Sequence, residues 1–165
     1  MTIRAGVLSD THLRVPDTRF RQQVQRCFEA CDVIIHAGDI TAPCVLEVFG
    51  DKPLYAVHGN MCEAATRALL PAKTTFELGG FTFGLAHGAG LGLDTEEALW
   101  HHFPEADCMI YGHTHQPRCH HYGRVLLLNP GSFRDTGHYG APGTYAILEI
   151  GEQLHATLHE VPALP

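Results

Sequence analysis

The sequence lacks the features that mark membrane, secreted and nucleic-acid-binding proteins. No stretch approaches the ~20 apolar residues needed to cross a bilayer, and the first ten residues contain neither the apolar core nor the cleavage site of a signal peptide. Eleven basic residues face 18 acidic ones, a net charge of −7, and the basic residues form no cluster. We therefore expect a cytoplasmic protein that binds neither a membrane nor a long nucleic acid.

Repeats, low-complexity segments and linkers are also missing, so residues 1–165 are predicted to form a single domain with a sizeable core. Six cysteines show no CxxC spacing, which favours free, mostly buried thiols over disulfides. Histidine is the residue in excess, with 13 copies. Where these histidines fall is therefore the informative question.

The first half of the chain alternates short apolar runs with amphipathic segments. Strands are predicted at 3–8, 33–36 and 54–57, and helices at 18–30, 42–49 and 62–70. Asp17 or Thr18 would cap the first helix, whose apolar residues recur on one face. This order favours a parallel sheet with right-handed crossovers.

The second half is richer in strands. Segments 74–78 and 81–86 flank a Gly-Gly turn, a helix is predicted at 94–103 with Asp94 or Thr95 as its cap, and 108–111 reads as a buried strand. The segments 117–122, 124–129, 143–150 and 153–161 are interpreted as an antiparallel meander. Together these elements predict an α/β sandwich of two sheets packed face to face with helices outside.

Metal-competent side chains follow five of the predicted buried strands. They occur in the segments Ser9-Asp10-Thr11-His12, His36-Ala37-Gly38-Asp39, His58-Gly59-Asn60, His87-Gly88 and Gly112-His113-Thr114-His115. Loops at the carboxyl ends of strands are where α/β sheets build their sites. The two-residue spacing of Asp10 and His12, like that of His113 and His115, would put both side chains on one side of an extended backbone.

Each motif also has an ordinary structural explanation. Asp10-Thr11-His12 resembles a helix cap or turn, Gly38-Asp39 and Gly59-Asn60 resemble turns, and His87 alone is more often a core or surface histidine. What favours a site is the occurrence of suitable chemistry at five strand ends together. Mixed imidazole, carboxylate and amide ligands suit Mn, Fe, Zn, Ni or Co better than Ca or Mg.

The ordered set Asp-x-His, Gly-Asp, Gly-Asn, His-Gly and Gly-His-x-His resembles the calcineurin-like metallophosphoesterases. It is most similar to their small YfcE-like phosphodiesterase branch, which also carries a segment like Asn129-Pro130-Gly131-Ser132. The resemblance implies a four-layer α/β/β/α sandwich of two mixed sheets. It also implies two divalent metal ions per chain, with Mn favoured and Ni, Fe, Zn or Co as alternatives, and a homodimer or homotetramer.

Carried over residue by residue, the resemblance implies two ligand sets that share Asp39. The first metal would be held by Asp10, His12, Asp39 and His115, and the second by Asp39, Asn60, His87 and His113. A metal-bridging hydroxide would then attack phosphorus in line, so that Asp39, Asn60 and His87 act through the metals and no protein nucleophile is needed. The implied substrate is a small phosphoester, with a phosphodiester favoured.

The sequence departs from larger members of the superfamily after Asn60. Those members have a histidine that is thought to assist the leaving group, whereas this chain has Met61, which cannot donate a proton. Cys62 is a candidate donor, although a buried structural thiol is the stronger interpretation. His36 and His58 are predicted to orient the metal ligands, and His138, in a glycine-rich stretch, either borders the mouth of the site or is an ordinary loop residue.

Two other functions compete with the hydrolase. One is a non-catalytic protein-interaction scaffold of the same fold, similar to the retromer subunit. The other is a metal sensor or store. A degenerate scaffold should have lost ligands, whereas all seven are present here.

Overall fold

The computed structural model describes residues 1–134 and 141–165. Its ordered segments are short strands and helices that match the predicted apolar runs. In these two ranges the strands are β1 Ile3–Leu8, β2 Val33–His36, β3 Leu54–Ala56, β4 Lys73–Leu78, β5 Phe81–Ala86, β6 Cys108–Ile110, β7 Arg118–Tyr122, β8 Val125–Asn129, β9 Thr144–Ile150 and β10 Leu154–Glu160. The helices are α1 Thr18–Phe28, α2 Ala64–Leu69, α3 Thr95–His102 and a 3₁₀ helix at Pro43–Phe49.

The strands form two five-stranded mixed sheets. The first has the order β10-β9-β1-β2-β3, in which β1, β2 and β3 are parallel and β9 and β10 are antiparallel additions. The second has the order β4-β5-β6-β8-β7, with β5, β6 and β8 parallel and the edge strands β4 and β7 antiparallel. Each sheet therefore has a parallel centre whose strands end at the same edge.

The central strands are apolar on both faces, because each sheet is covered on both sides. Val7 and Ile35 of the first sheet pack against Leu85 and Ile110 of the second in the core between the sheets. The alternate residues face outward: Leu8 and Ile34 pack under α1 and the 3₁₀ helix, and Met109 packs under α3 with Leu99 and Phe103. The predicted α/β/β/α sandwich is confirmed.

Two helices, α1 and α3, have N-terminal caps at predicted residues. The Asp17 side chain accepts a hydrogen bond of 2.7 Å from Phe20 N, and the Asp94 side chain accepts one of 3.0 Å from Glu97 N. A cap of this kind contributes about 1 kcal/mol to helix stability. No helix in the described ranges is long and apolar enough to span a membrane. All six cysteines are free, and four of them are buried, as expected.

The predicted antiparallel meander is wrong. The strands β7 and β8 form a hairpin in the second sheet, whereas β9 and β10 form a hairpin in the first. The physical reason is that β8, whose residues are all buried, pairs with β6 on the side opposite β7, so no edge of β8 is left for β9. The predicted helix at 42–49 is a 3₁₀ helix, and those at 18–30, 62–70 and 94–103 are shorter than expected.

Candidate metal centre

The predicted ligands converge at the carboxyl ends of the parallel strands. They form two clusters of side chains whose ligand atoms lie within 4.8 Å of one another. One cluster contains Asp10, His12 and His115, and the other contains Asp39, His87 and His113. Each combines residues that follow strands of the first sheet with residues that follow strands of the second. The site therefore lies at the carboxyl ends of the parallel strands of both sheets.

Asp39 lies between the two clusters. Its Oδ2 is 3.7 Å from Nε2 of His12 in one cluster and 3.1 Å from Nε2 of His87 in the other. Its second oxygen, Oδ1, accepts a 2.8 Å hydrogen bond from the backbone N–H of Met61. One oxygen is thus held by the protein while the other faces imidazoles on both sides.

The two carboxylate oxygens of Asp10 also have different partners. Its Oδ2 accepts hydrogen bonds from Ser9 Oγ at 2.5 Å and from the backbone N–H of His113 at 3.1 Å. Its Oδ1 is 3.1 Å from Nε2 of His115 and 3.5 Å from Nε2 of His12. A cation among these three groups would replace the contacts between the ring nitrogens, two of which are only 3.4 Å apart.

His87 is oriented by the backbone. Its Nδ1 donates a 2.8 Å hydrogen bond to the carbonyl oxygen of Ala37, so the lone pair of the neutral ring is on Nε2. That Nε2 is 3.1 Å from Asn60 Oδ1, which places the amide oxygen of Asn60 beside the second cluster. The site therefore brings together the mixed imidazole, carboxylate and amide groups that the sequence predicts as metal ligands.

The pKa values of the two carboxylates at the site are lowered, which favours their charged forms. Burial by itself raises the pKa of Asp10, but the hydrogen bond from His12 and the nearby His87 outweigh it and lower the pKa to about 2. The pKa of Asp39 is also lowered, because the hydrogen bond and charge of His87 overcome burial. Burial lowers the pKa of His87, yet the two carboxylates raise it on balance. Protons and a metal cation therefore compete for the same groups.

Five of the seven predicted ligands have left-handed backbone conformations, which non-glycine residues rarely adopt. These are Asp10 (φ 56°), His12 (φ 48°), Asp39 (φ 54°), His113 (φ 67°) and His115 (φ 59°). The expectation that the Asp-x-His and His-x-His pairs are extended is therefore wrong. Each such conformation costs about 1–3 kcal/mol and requires support from its surroundings. Part of that support is visible: Asp10 N donates to Gly38 O at 2.9 Å and His12 N donates to Asp39 O at 3.0 Å.

His36 lies beneath the site and is fully buried. Its Nδ1 accepts a 3.2 Å hydrogen bond from Gly38 N, and its Nε2 lies 3.3 Å from Thr11 Oγ1. Burial lowers the pKa of His36 to about 3, so the ring is neutral. It connects the loops that carry Asp39 and Asp10. His58 is only half-buried, with Nδ1 3.4 Å from Gly59 O, and His138 lies outside the described residues.

Three polar residues that support the site were not singled out from the sequence. Ser9 donates to Asp10, as described above. Asn129 donates from Nδ2 to Gly112 O at 3.1 Å and to Thr114 Oγ1 at 3.0 Å, which holds the loop that carries His113 and His115. Ser132 Oγ is 3.2 Å from Asp10 O. The only signal for the last two is the Asn-Pro-Gly-Ser segment, which the sequence marks without indicating what it contacts.

The residues after Asn60 take different positions. Met61 is 58% exposed, whereas Cys62 is buried in the core under the first sheet. The Cys62 Sγ accepts a 3.3 Å hydrogen bond from Gly59 N. This contact ties the thiol to the loop backbone and favours a structural role over proton donation.

The chain resembles curated proteins and solved structures over most of its length. A probable metallophosphoesterase of Methanothermobacter thermautotrophicus is 36% identical over 130 residues, which is 77% of this chain and 75% of that protein. A phosphodiesterase of Methanocaldococcus jannaschii is 24% identical over 78% of this chain and 83% of its own.

Solved structures also resemble this chain over most of its length. A predicted phosphoesterase of Streptococcus pneumoniae superposes with a TM-score of 0.74 at 26% identity, covering 98% of this chain and 94% of that one. Vps29 of Cryptosporidium parvum shares the fold, with a TM-score of 0.78 at 20% identity over 98% of this chain and 92% of that one. The model of the calcineurin-like phosphoesterase superfamily domain matches residues 3–153. Read with the two clusters at the strand ends, this match shows that the chain belongs to the calcineurin-like phosphoesterase superfamily.

Proposed function

We propose that this protein is a dinuclear metal-dependent phosphodiesterase acting on small substrates. The observation that carries the proposal is the position of Asp39, whose Oδ2 faces His12 at 3.7 Å and His87 at 3.1 Å. A carboxylate oxygen between two imidazole-bearing clusters is suited to bridge two cations. In the proposed ligand sets, Asp10, His12, Asp39 and His115 hold one metal, and Asp39, Asn60, His87 and His113 hold the other.

The charge balance of such a site favours a phosphate ligand. Two divalent ions carry four positive charges, and Asp10 and Asp39 neutralise two of them. A local positive charge then exists in a chain whose net charge is −7. When bound, the two cations supply Lewis acidity for the phosphoryl oxygens and generate a nucleophile from water near neutral pH.

The protein residues contribute orientation and charge. Ser9 and the His113 backbone N–H fix Asp10, and the Met61 N–H fixes Asp39, so one oxygen of each carboxylate stays directed toward the imidazoles. The Ala37 carbonyl fixes the ring of His87. Because these contacts fix the orientation of the proposed ligands, little reorganisation is needed when a substrate binds.

Preference for a phosphodiester follows from the residues beside Asn60. Met61 has no proton to give, and the Cys62 thiol is buried against the loop backbone. Neither of these two residues therefore supplies a proton, which favours substrates whose leaving group needs little protonation. The phosphodiesterase among the relatives supports the same choice. Manganese is the metal we propose first. The imidazole and carboxylate ligands also admit Ni, Fe, Zn and Co.

The test is to replace Asp39 with Asn, using Asp51→Asn as the control because Asp51 is exposed and precedes β3, at the end of that strand opposite the predicted ligands. Metal content is measured after dialysis against Mn²⁺, and turnover is measured with bis(p-nitrophenyl) phosphate. Loss of an outer hydrogen-bond partner typically costs 10–100-fold, so loss of a shared ligand should lower turnover by at least about 100-fold. Full metal content and turnover in Asp39→Asn would refute the two-metal assignment.

The alternative is a scaffold of the Vps29 type. The same experiment separates the two functions through catalysis: a protein that hydrolyses no phosphoester with Mn²⁺, Ni²⁺ or Zn²⁺ after chelation favours the scaffold. Metal binding alone does not discriminate, because a scaffold can retain its ligands.

A further inference from the structure

A pocket of about 340 Å³ adjoins the candidate metal centre. It opens beside Asn60 and His87 of the second cluster and extends to Arg67, Lys73 and His102. We call it the Lys73 pocket. Its volume is at the lower end of the range for pockets that bind small molecules.

Strand register explains why Lys73 is near the site. The strand β4 runs antiparallel to β5, and Lys73, its first residue, pairs with Ala86, the last residue of β5. His87 follows Ala86 directly in the chain. The edge strand thus brings a cation next to the strand end that carries a proposed ligand.

Two polar side chains of the pocket, Lys73 and His102, present hydrogen-bond donors to it. Lys73 Nζ donates to His102 Nδ1 at 2.8 Å, so the proton of the neutral His102 ring is on Nε2. Both side chains then have only N–H groups left to offer. Arg67 donates to Asn60 O at 2.7 Å and to Cys62 O at 3.1 Å, which secures the loop that forms one wall.

The lining residues determine the sign of the charge in the pocket. Among the described residues that line it, none is an Asp or Glu, although the chain has 18 acidic residues and 11 basic ones. Apart from His58 and the metal-centre residues Asn60 and His87, the remaining lining residues are small or apolar, and they include Ala72, Ala86, Ala89 and Leu91. A ligand that matches this lining has an apolar stem and an anionic end.

We infer that the Lys73 pocket is a substrate subsite, which receives an organic substituent of the phosphodiester that bears a second anionic group. Lys73 and His102 bind that group while the phosphorus lies at the metal centre. The substrate class is therefore a phosphodiester with an additional carboxylate or phosphate. This inference rests on the proposed function for the identity of the reacting group.

The test compares two p-nitrophenyl phosphodiesters that differ only in the second ester group, propyl or 2-carboxyethyl. Wild-type protein should show a lower KM for the carboxylate ester by about three- to fivefold, the contribution of one exposed charge pair. Lys73→Met should abolish that preference, so that the KM values of the two esters become equal within error. Arg124→Gln is the matched control, since it removes one positive charge just before β8, at the opposite end of the second sheet.

A binding measurement separates the subsite from catalysis. In calorimetric titrations of the Mn²⁺-loaded protein, 3-phosphonopropionate should bind about three- to fivefold more tightly than propylphosphonate, and Lys73→Met should remove the difference. Turnover of the propyl ester without any carboxylate preference overturns the subsite alone. Absence of all turnover overturns the proposed function, and the titration then decides the subsite independently: equal affinities refute it.

Discussion

Replacing Gly59 with Ala should weaken both the fold and the candidate metal centre. A Cβ at this position would lie 2.1 Å from Asp39 Oδ1, 2.7 Å from Asp39 N and 2.7 Å from His87 Cδ2. These separations are too short for nonbonded atoms, and one of them involves backbone. Either the loop after β3 or the Asp39 carboxylate must therefore move.

The magnitude follows from two contributions. Overpacking a well-packed position costs about 1–3 kcal/mol. Displacing Asp39 also weakens the hydrogen bond from Met61 N, and bonds to charged groups contribute about 1.5–3 kcal/mol. Because a shift that relieves the clash is the same shift that breaks the bond, the two costs overlap. We expect the free energy of unfolding to fall by about 2–4 kcal/mol, less than the whole stability of a typical domain.

The assay has two parts, urea unfolding with EDTA present and calorimetric titration with Mn²⁺. The variant should unfold at lower urea and bind Mn²⁺ at least about tenfold more weakly, as when a supporting partner of a ligand is lost. Gly151→Ala is the control, because the nearest atom to its added Cβ would be the side-chain Oγ1 of Thr2, at 3.3 Å. If Gly59→Ala unfolds and binds Mn²⁺ as the wild type does, contact with Gly59 does not position Asp39.

Two further predictions concern buried groups around the site. The pKa of His36 is lowered from 6.5 to about 3, so below pH 6.5 the unfolded chain takes up a proton that the folded protein excludes, and stability in EDTA should fall by on the order of 1 kcal/mol per pH unit toward pH 5. His36→Gln should flatten this dependence of the urea midpoint, and an unchanged slope would show that another group causes it. If the proposed function is correct, Cys62→Ala should hydrolyse bis(p-nitrophenyl) phosphate as the wild type does, while its stability falls by about 1–2 kcal/mol for the lost packing. A large loss of kcat in a stably folded Cys62→Ala protein would instead support proton donation by the thiol.

Local features of the chain were predictable because they depend on neighbouring residues. The Asp17 and Asp94 caps need only a short polar side chain before an amphipathic segment, and both are present. The buried strands were visible as apolar runs such as Val33–His36, because strands covered on both faces carry no polar alternation. The convergence of the predicted ligands was also predictable from the sequence, since parallel strands end at a common edge.

Strand partners were not predictable from neighbouring residues alone. A run such as 143–150 satisfies its backbone equally well in either sheet, and only the shared core decides that β9 pairs with β1. The same holds for Lys73 and His102, which lie 29 residues apart and meet only because β4 pairs with β5 and α3 packs nearby.

The sequence by itself determined which chemical groups stand at the strand ends and in what order, because side-chain chemistry and apolar periodicity are properties of the chain. The tertiary structure decided how those groups are presented. The left-handed backbone of Asp10, His12, Asp39 and the His113–His115 loop contradicts the local preference for extended or helical conformations. It exists because contacts distant in sequence, such as Asn129 with Gly112 and Asp10 with Gly38, offset its cost.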